Sequence, residues 1–551
     1  MKIALIQSNP VTGALTANMD ALIAQTVRAA ELGADLCVAP EMALCGHTMG
    51  DMLLRSGFAE RCREALGKAA AFLGANPSFP PLLLGAPVAN PVPQGKSLQS
   101  CAVLLSGGKV TVAGRKVLLP SSGVHDDARY FEPGVACGVI QLKGWRLGIA
   151  IGEDAWNDRT FWPGRHTFTQ DPVADFIAAG GADGLINLTA LPYEQGLPAL
   201  HQRMLGHLAA RYRAPVASVN LVGGNDSLVY FGQSAGFDRT GTLIARAPCF
   251  GEALLMVDMA GCAPGEIAPE LSPDEEIWQA VVLGARDYVG KCGFTSVALG
   301  LSGGVDSALT AAIAVEAFGP ENVTGLLMPS PYSSRGSLDD ATALAENLGI
   351  ATRLLPIDSL LSAYAEVFNT AFGRDMTDLA EENIQPRIRA GLLMACANSF
   401  GALLLSTGNK SEAAVGYATL YGDMAGALAP IGDLYKGQVY SLCRHYNATH
   451  PRGIPEAILN KPPSAELRPG QRDDDTLPPY PLLDPLLKDL IDGRNDVAQL
   501  LQKGYDAKMV YDVMRMVHKA EFKRRQAPPA LHLSSGGFAG RTPVAAIFED
   551  A

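Results

Sequence analysis

Apolar and polar positions alternate over residues 2–7, apolar residues then recur at helical spacing over 17–32, and a short apolar run follows at 34–39, ahead of Pro40 and Glu41. A period of two, a period near 3.6 and a second apolar run predict strand, helix, strand. Runs of strand length recur at 82–84, 102–105, 147–151, 184–188 and 216–220, and a helical stretch covers 197–210. The first half therefore predicts a layered α/β domain. Residues 261–273 are rich in Pro and Gly, the composition of a linker.

Beyond that seam the pattern changes. Residues 273–290 predict a helix with acidic residues in its first turn, followed by a strand at 296–301, a helix at 308–317, a strand at 322–328, a helix at 338–348 and a strand at 353–357. Strands alternating with helices predict a parallel, doubly wound sheet. Residues 461–485, dense in Pro and Asp, predict an ordered loop over a site, with a plain flexible insertion as the alternative. No internal repeat is present.

Length and composition narrow the function classes. At ~150 residues per domain, 551 residues suggest three or four units, and large enzyme domains lower that to two or three. With 48% hydrophobic and 18% charged residues the chain is globular material. Lys+Arg 44 against Asp+Glu 56 gives 44 − 56 = −12, so nothing offsets phosphate repulsion, and non-specific binding to nucleic acid or a membrane surface is not expected. The opening Met-Lys-Ile-Ala-Leu-Ile-Gln turns polar too soon for a signal peptide, and no run reaches the ~20 apolar residues of a membrane span, so a cytoplasmic location is expected. Most of the ten scattered cysteines, without Cys-x-x-Cys spacing, read as small buried hydrophobes.

The strongest chemical signal is Ser302-Gly303-Gly304-Val305-Asp306-Ser307, between a predicted strand and a predicted helix. Two glycines allow close backbone approach, amides and hydroxyls can face an anion, and the helix N-terminus adds positive potential. The loop lacks the Gly-Lys-Ser/Thr of a Walker motif, and Asp306 could hold a divalent metal in place of that lysine's charge. With Glu382-Asn383-Ile384-Gln385-Pro386-Arg387-Ile388-Arg389, Ser406-Thr407-Gly408-Asn409-Lys410-Ser411-Glu412, Tyr421-Gly422-Asp423 and Lys461-Pro462-Pro463-Ser464-Ala465-Glu466-Leu467, the stretch from about Pro273 onward resembles the NAD⁺ synthetases of the ATP pyrophosphatase superfamily. That resemblance implies a Rossmann-like fold, and amidation of deamido-NAD⁺ through an adenylated intermediate with release of AMP and pyrophosphate. It implies Mg²⁺ on Asp306 and Glu412. It implies ATP on Ser302, Gly303, Gly304, Asp306, Ser307, Thr407, Lys461 and Ser464, and deamido-NAD⁺ on Asn383, Arg387, Arg389, Asp423 and Lys436, with Arg387 equally suited to ATP. For Tyr417 and Tyr421, packing is at least as good a reading as ligand contact. Arg524 and Arg525 reach into the site or form a solvated charge run.

The first half carries its own pattern: Ala39-Pro40-Glu41, Gly114-Arg115-Lys116-Val117-Leu118-Leu119-Pro120, Arg129-Tyr130-Phe131-Glu132-Pro133-Gly134, and Leu147-Gly148-Ile149-Ala150-Ile151-Gly152-Glu153-Asp154-Ala155-Trp156. It resembles the nitrilase-type glutaminase domain of glutamine-dependent NAD⁺ synthetases, an α-β-β-α sandwich. In that family a Glu acts as general base, a Lys stabilises the oxyanion and a Cys attacks the amide. Glu41 and Lys116 match the first two positions. Gly152 stands where the pattern has Cys, and Leu118–Ser122 and Thr48-Met49-Gly50 also depart from it. Glycine has no side chain with which to attack, and Cys45 reads as a buried thiol on a different loop.

The expected organisation is therefore residues 1–262, an inactive nitrilase-like domain; 263–274, a linker; and 275–551, a synthetase domain that uses ammonia. Either the first domain is a degenerate scaffold or the glycine was introduced to abolish glutamine cleavage; both predict the same behaviour. The alternatives are another ATP-pyrophosphatase amidotransferase, a nitrilase-type amidohydrolase, and a non-catalytic dinucleotide-binding module. The resemblance also implies a homodimer or higher homo-oligomer.

Overall fold

A computed structural model describes residues 1–121, 123–164, 167–261, 264–537 and 543–544. Ser122, Cys262 and Ala263, which fall in the stretches discussed above, lie outside the described residues. The chain forms two compact units, Met1–Leu271 and Ser272–Ala551.

In the first unit two six-stranded sheets share one inner core. One runs Ala253–Asp258, Lys2–Gln7, Leu36–Val38, Leu82–Ala89, Leu98–Ser106, Lys109–Arg115; the other runs Leu243–Arg246, Ala235–Phe237, Val216–Asn220, Gly184–Thr189, Trp145–Ile151, Gly138–Leu142. Strand side chains alternate between faces. Ile3, Leu5, Leu36, Val38 and Leu83 accordingly point inward to meet Leu147, Ile149, Ile151, Ile186 and Leu188. Their neighbours Ala4, Ile6, Cys37, Leu82 and Leu84 face helices Leu15–Glu31 and Phe58–Ala75. On the far side, Ala150, Leu185 and Val216 meet Leu205 and Leu208 of helix Leu197–Tyr212 and Val173 of helix Pro172–Ala178. The layers are α-β-β-α, as expected.

The linker stretch is not loose. Gly265 and Ala268 donate backbone hydrogen bonds to Ile244 and Arg246, whose guanidinium returns to the Ala268 carbonyl and to Glu270, so residues 265–270 run along the edge strand. Ser272 then caps helix Pro273–Lys291, its hydroxyl accepting from the Glu275 amide.

The second unit has a four-stranded, wholly parallel sheet in the order Ala351–Leu354, Val323–Leu327, Val297–Gly300, Leu403–Leu404. Chain order reverses beside Val297–Gly300, so the crevice at that strand's carboxyl end is the place a ligand is expected. Three details differ from the sequence reading. Helix Val305–Phe318 starts three positions before Ala308, because the Gly304 carbonyl already accepts from the Ala308 amide; Asp306 and Ser307 thereby stand in its first turn. The strand expected at 353–357 pairs at Ala351–Leu354 instead, and Pro356, lacking an N–H, ends it. The expected loop at 461–485 becomes helical at Tyr480–Leu487, where Pro481 suits a first turn and Leu483, Leu486 and Leu487 are buried. No helix among the described residues is long and apolar enough to cross a membrane.

Candidate functional site

The carboxyl end of strand Val297–Gly300 leads straight into the Ser302 loop, whose residues tie one another down. The Gly304 amide donates to the Ser302 hydroxyl at 3.2 Å, the Ser302 and Ser307 hydroxyls lie 3.1 Å apart, and Ser307 Oγ donates to the Gly304 carbonyl at 3.0 Å. Gly303 has φ +77°, and a Cβ there would lie 2.2 Å from the Ser337 carbonyl oxygen. Only glycine fits so close to another backbone. Gly303→Ala is expected to cost at least ~1–3 kcal/mol from the left-handed backbone alone, with a further loss of nucleotide affinity as the loop shifts; thermal unfolding and nucleotide titration of the variant check both.

Ser337 is the hinge between two loops. It lies in the first turn of helix Arg335–Leu348, and its hydroxyl donates to Glu466 at 2.7 Å while accepting from the Lys461 ammonium. Glu466 also accepts from the Ser334 hydroxyl at 2.9 Å, and Lys461 lies 3.4 Å from Glu466. The Gln385 amide donates to the Leu467 carbonyl at 2.9 Å. The Lys461 loop and the Ser302 loop thus meet at one helix N-terminus, although some 160 residues separate them in the chain. Ser464 turns its hydroxyl inward to the Gln471 carbonyl at 2.5 Å and shapes its own loop. Thr407 is half-buried just past Leu403–Leu404, the strand beside Val297–Gly300.

Asp306, Glu412, Asn409 and Lys436 form the charged centre of this end of the sheet. Asn409 caps helix Lys410–Val415 by accepting from the Glu412 amide, and its Nδ2 donates to Asp306 Oδ1 at 2.8 Å. The Lys436 ammonium lies 2.5 Å from Asp306 Oδ2 and 3.0 Å from Glu412 Oε1. Burial opposes its charge, but the two carboxylates overturn that and hold the lysine above its ordinary pKa. Burial also pushes the Glu412 carboxyl up to about 7. One cation reaching two carboxylate oxygens is the arrangement a hard divalent ion needs when substrate oxygens and waters complete its shell, so the residues fit Mg²⁺.

The dinucleotide candidates lie on helix Asp378–Phe400 and the turn after residue 416. Asn383 Oδ1 accepts from the Thr419 hydroxyl at 2.9 Å, Asp423 accepts from the Thr419 amide at 2.7 Å, and Arg387 Nε donates to the Leu420 carbonyl at 3.1 Å. Arg389 Nε donates to the Met328 carbonyl at 3.0 Å, past the second strand of the sheet. Lys436 is brought to the acid pair and not to this group. Tyr417 packs into the core around Leu483 and Val513, while Tyr421 is exposed and donates to Gln526 at 2.6 Å. The buried Arg524 guanidinium takes the Ala414 and Val517 carbonyls, both at 2.6 Å, and Glu521, so this end of the chain locks helices together. Asn409 and Ser337 were absent from the sequence candidates; the three-residue spacing of Asn409 before Glu412 is an N-cap signal, whereas nothing near Ser337 signals its partners.

In the first unit, Glu41 follows strand Leu36–Val38, Lys116 follows Lys109–Arg115 and Gly152 follows Trp145–Ile151. The three converge. Lys116 Nζ lies 2.8 Å from Glu41 Oε1 and 2.6 Å from Asp127 Oδ2, all three side chains being buried. His47 continues the network, 3.7 Å from Asp127 and 2.7 Å from the Tyr230 hydroxyl. A Cβ built on Gly152 would lie 2.5 Å from Glu41 Oε2 and 2.8 Å from Lys116 Nζ, and the residue has φ +52°. Asp154 holds the adjoining turn: one oxygen accepts from the Val117 and Leu118 amides and the other from Ile151, and burial raises its carboxyl to about 7. Cys45 is buried in the helix-side core, its thiol pushed far up by burial. Lys116→Met would leave Glu41 and Asp127 facing each other, a loss of about 3–5 kcal/mol for a broken buried pair, readable as a lowered unfolding midpoint of this unit.

The family model described as NAD synthase matches residues 277–527, and that described as Carbon-nitrogen hydrolase matches residues 2–261. The chain is 44% identical to a glutamine-dependent NAD(+) synthetase of Synechocystis sp. over 559 aligned residues, covering 99% of each chain. It is 38% identical to one of Thermotoga maritima, covering 100% of this chain and 99% of that one. Among solved structures it is similar to the glutamine-dependent NAD⁺ synthetase of Acinetobacter baumannii in complex with adenosine diphosphate, with TM-score 0.77 and 34% identity over 98% of each chain.

Proposed function

The chain belongs to the glutamine-dependent NAD⁺ synthetase family, and from that membership we propose that its second unit amidates deamido-NAD⁺ to NAD⁺ at the expense of ATP, with ammonia as the nitrogen source. It is a ligase forming a C–N bond. The single observation that carries the site assignment is the meeting of the Ser302 loop, the Lys461 loop and the Asp306–Glu412 pair at the carboxyl end of strand Val297–Gly300.

The reaction needs a carboxylate made electrophilic, because a carboxylate repels nucleophiles and its oxygen is a poor leaving group. In this reading the Ser302, Gly303, Gly304 and Ser307 loop binds the ATP phosphates at a helix N-terminus, with Thr407 beside it. Lys461, oriented by Glu466 and Ser337, stabilises charge on the departing pyrophosphate. Asp306 and Glu412 hold Mg²⁺, which when bound neutralises triphosphate charge. Asn383, Arg387, Arg389 and Asp423 orient the dinucleotide so that its nicotinate carboxylate attacks the α-phosphate; ammonia then displaces AMP. Lys436 acts on the acid pair.

Within the first unit, the proposed nitrilase-like domain of residues 1–262 keeps a base and an oxyanion lysine in Glu41 and Lys116 but has Gly152 at the nucleophile position, which favours ammonia as donor and disfavours an amidohydrolase reading. A cytoplasmic location is proposed from the family match. A homodimer or larger homo-oligomer is favoured by Tyr364, Val367, Phe372, Leu379 and Phe400, apolar and exposed on helices Asp358–Phe372 and Asp378–Phe400. The deciding experiment mixes protein with ATP, Mg²⁺, ammonium and deamido-NAD⁺: AMP and NAD⁺ in equal amounts are expected, and AMP without NAD⁺, or neither, would refute the proposal.

A further inference from the structure

Lys436 occupies the place where the acid pair would receive a metal. Its backbone is pinned at the start of helix Lys436–Thr449: its amide donates to the Ser411 hydroxyl at 2.9 Å, Ser411 is held by Asp484, and Asp484 takes the Gly437 amide at 2.7 Å. From that anchor the side chain runs inward, 3% exposed, over the Tyr480 ring, and its ammonium ends against Asp306 and Glu412. Asn409 braces Asp306 from the other side. The pair is therefore preassembled and carries an internal monocation.

We infer that Lys436 is an internal counter-cation that keeps a divalent ion off Asp306 and Glu412 until nucleotide phosphate offers the ammonium another partner. The physical reasons are two. Two carboxylates this close repel unless a cation lies between them, and the buried lysine supplies it. A divalent ion reaching the same oxygens must either sit beside an ammonium in a poorly screened site or displace it, and both lower affinity until the lysine has an anion to move to. Lys436 would thus be a positioning residue that couples metal uptake to nucleotide, which makes metal binding weak in the nucleotide-free protein. The identity of that anion as ATP phosphate rests on the synthetase reading; the exclusion of the ion from the free protein does not.

The test uses nucleotide-free full-length protein and Mn²⁺ as the probe, with the free ion followed by its paramagnetic resonance signal. Lys436→Met is expected to bind Mn²⁺ at least tenfold more tightly than the unaltered protein, and Lys436→Arg, which keeps the charge, to stay near the unaltered value. In chelator the Met variant should melt lower, with Mn²⁺ restoring its midpoint while leaving that of the unaltered protein unmoved. Lys436→Gln replaces the Met variant if the latter does not fold. Equal Mn²⁺ affinity in the charged and neutral forms would overturn the inference, as would tight Mn²⁺ binding by the nucleotide-free unaltered protein. Pyrophosphate release from ATP by the unaltered protein is scored separately, so failure of the synthetase reading leaves the Mn²⁺ comparison intact.

Discussion

With glutamine as the sole nitrogen donor, NAD⁺ formation by the purified protein is expected at background, on the order of 10³-fold or more below the rate with saturating ammonium, because deletion of a catalytic nucleophile costs at least that much in acyl-transfer enzymes. A thioester needs a sulfur within reach of Glu41 and Lys116, and position 152 offers none. Cys45 cannot stand in, since its thiol is buried in the helix-side core and burial keeps it neutral. The Gly152→Cys protein supplies the converse. The Glu41 carboxylate and the Lys116 ammonium now occupy the space of a Cβ, at 2.5 and 2.8 Å, but both are the ends of long side chains and can withdraw; the left-handed backbone at 152, φ +52°, still strains the new side chain and lowers the stability of the variant. Partial glutamate release and a trappable acyl-enzyme are expected from that variant. Efficient glutamine use by the unaltered protein would remove the claim, and a Gly152→Cys protein with no acyl-enzyme would show that Glu41 and Lys116 no longer serve.

Asp306→Asn is expected to lower pyrophosphate release from ATP and deamido-NAD⁺ by roughly 10²–10³-fold, the range lost when one electrostatic stabiliser of the transition state is removed. Loss should fall on kcat more than on the dinucleotide KM, since Asn383, Arg387, Arg389 and Asp423, the residues proposed to orient the dinucleotide, are untouched. The Asn side chain still faces Asn409, and Lys436 keeps Glu412, so the folded state should survive; circular dichroism checks that. Undiminished adenylation by the variant would dissolve the assignment of this end of the sheet as the ATP site.

Much of the layering was legible because buried strands leave a period of two and amphipathic helices a period near 3.6, and both are local properties of the chain. Strand Val216–Asn220 coincides with the reading from sequence, and Lys2–Gln7 does as well. Boundaries were less legible where the deciding partner was remote. Strand Ala351–Leu354 took its register from Val323–Leu327, and Tyr480–Leu487 became helical because its leucines had a core to enter, which outweighed a proline count that reads as loop.

Residue types at the sites were readable in the same way: two glycines ahead of a helix with an aspartate in its first turn, an acid after an apolar strand, and a glycine, Gly152, where the family resemblance leads one to expect a thiol. The partners were not. That Ser337 joins two loops, that Lys116 answers to Asp127 as well as Glu41, and that Lys436 lies on the acid pair depend on side chains from 11 to 130 positions apart. Short-range chemistry and the hydrophobic period are written along the chain, so sequence alone determined the two α/β units, the glycine-rich loop between strand and helix, and the glycine at position 152 from which the ammonia proposal starts. Which charges meet is set by packing, and burial then makes each meeting compulsory, since an unpaired charge out of water is too costly to keep; only the tertiary structure could decide it.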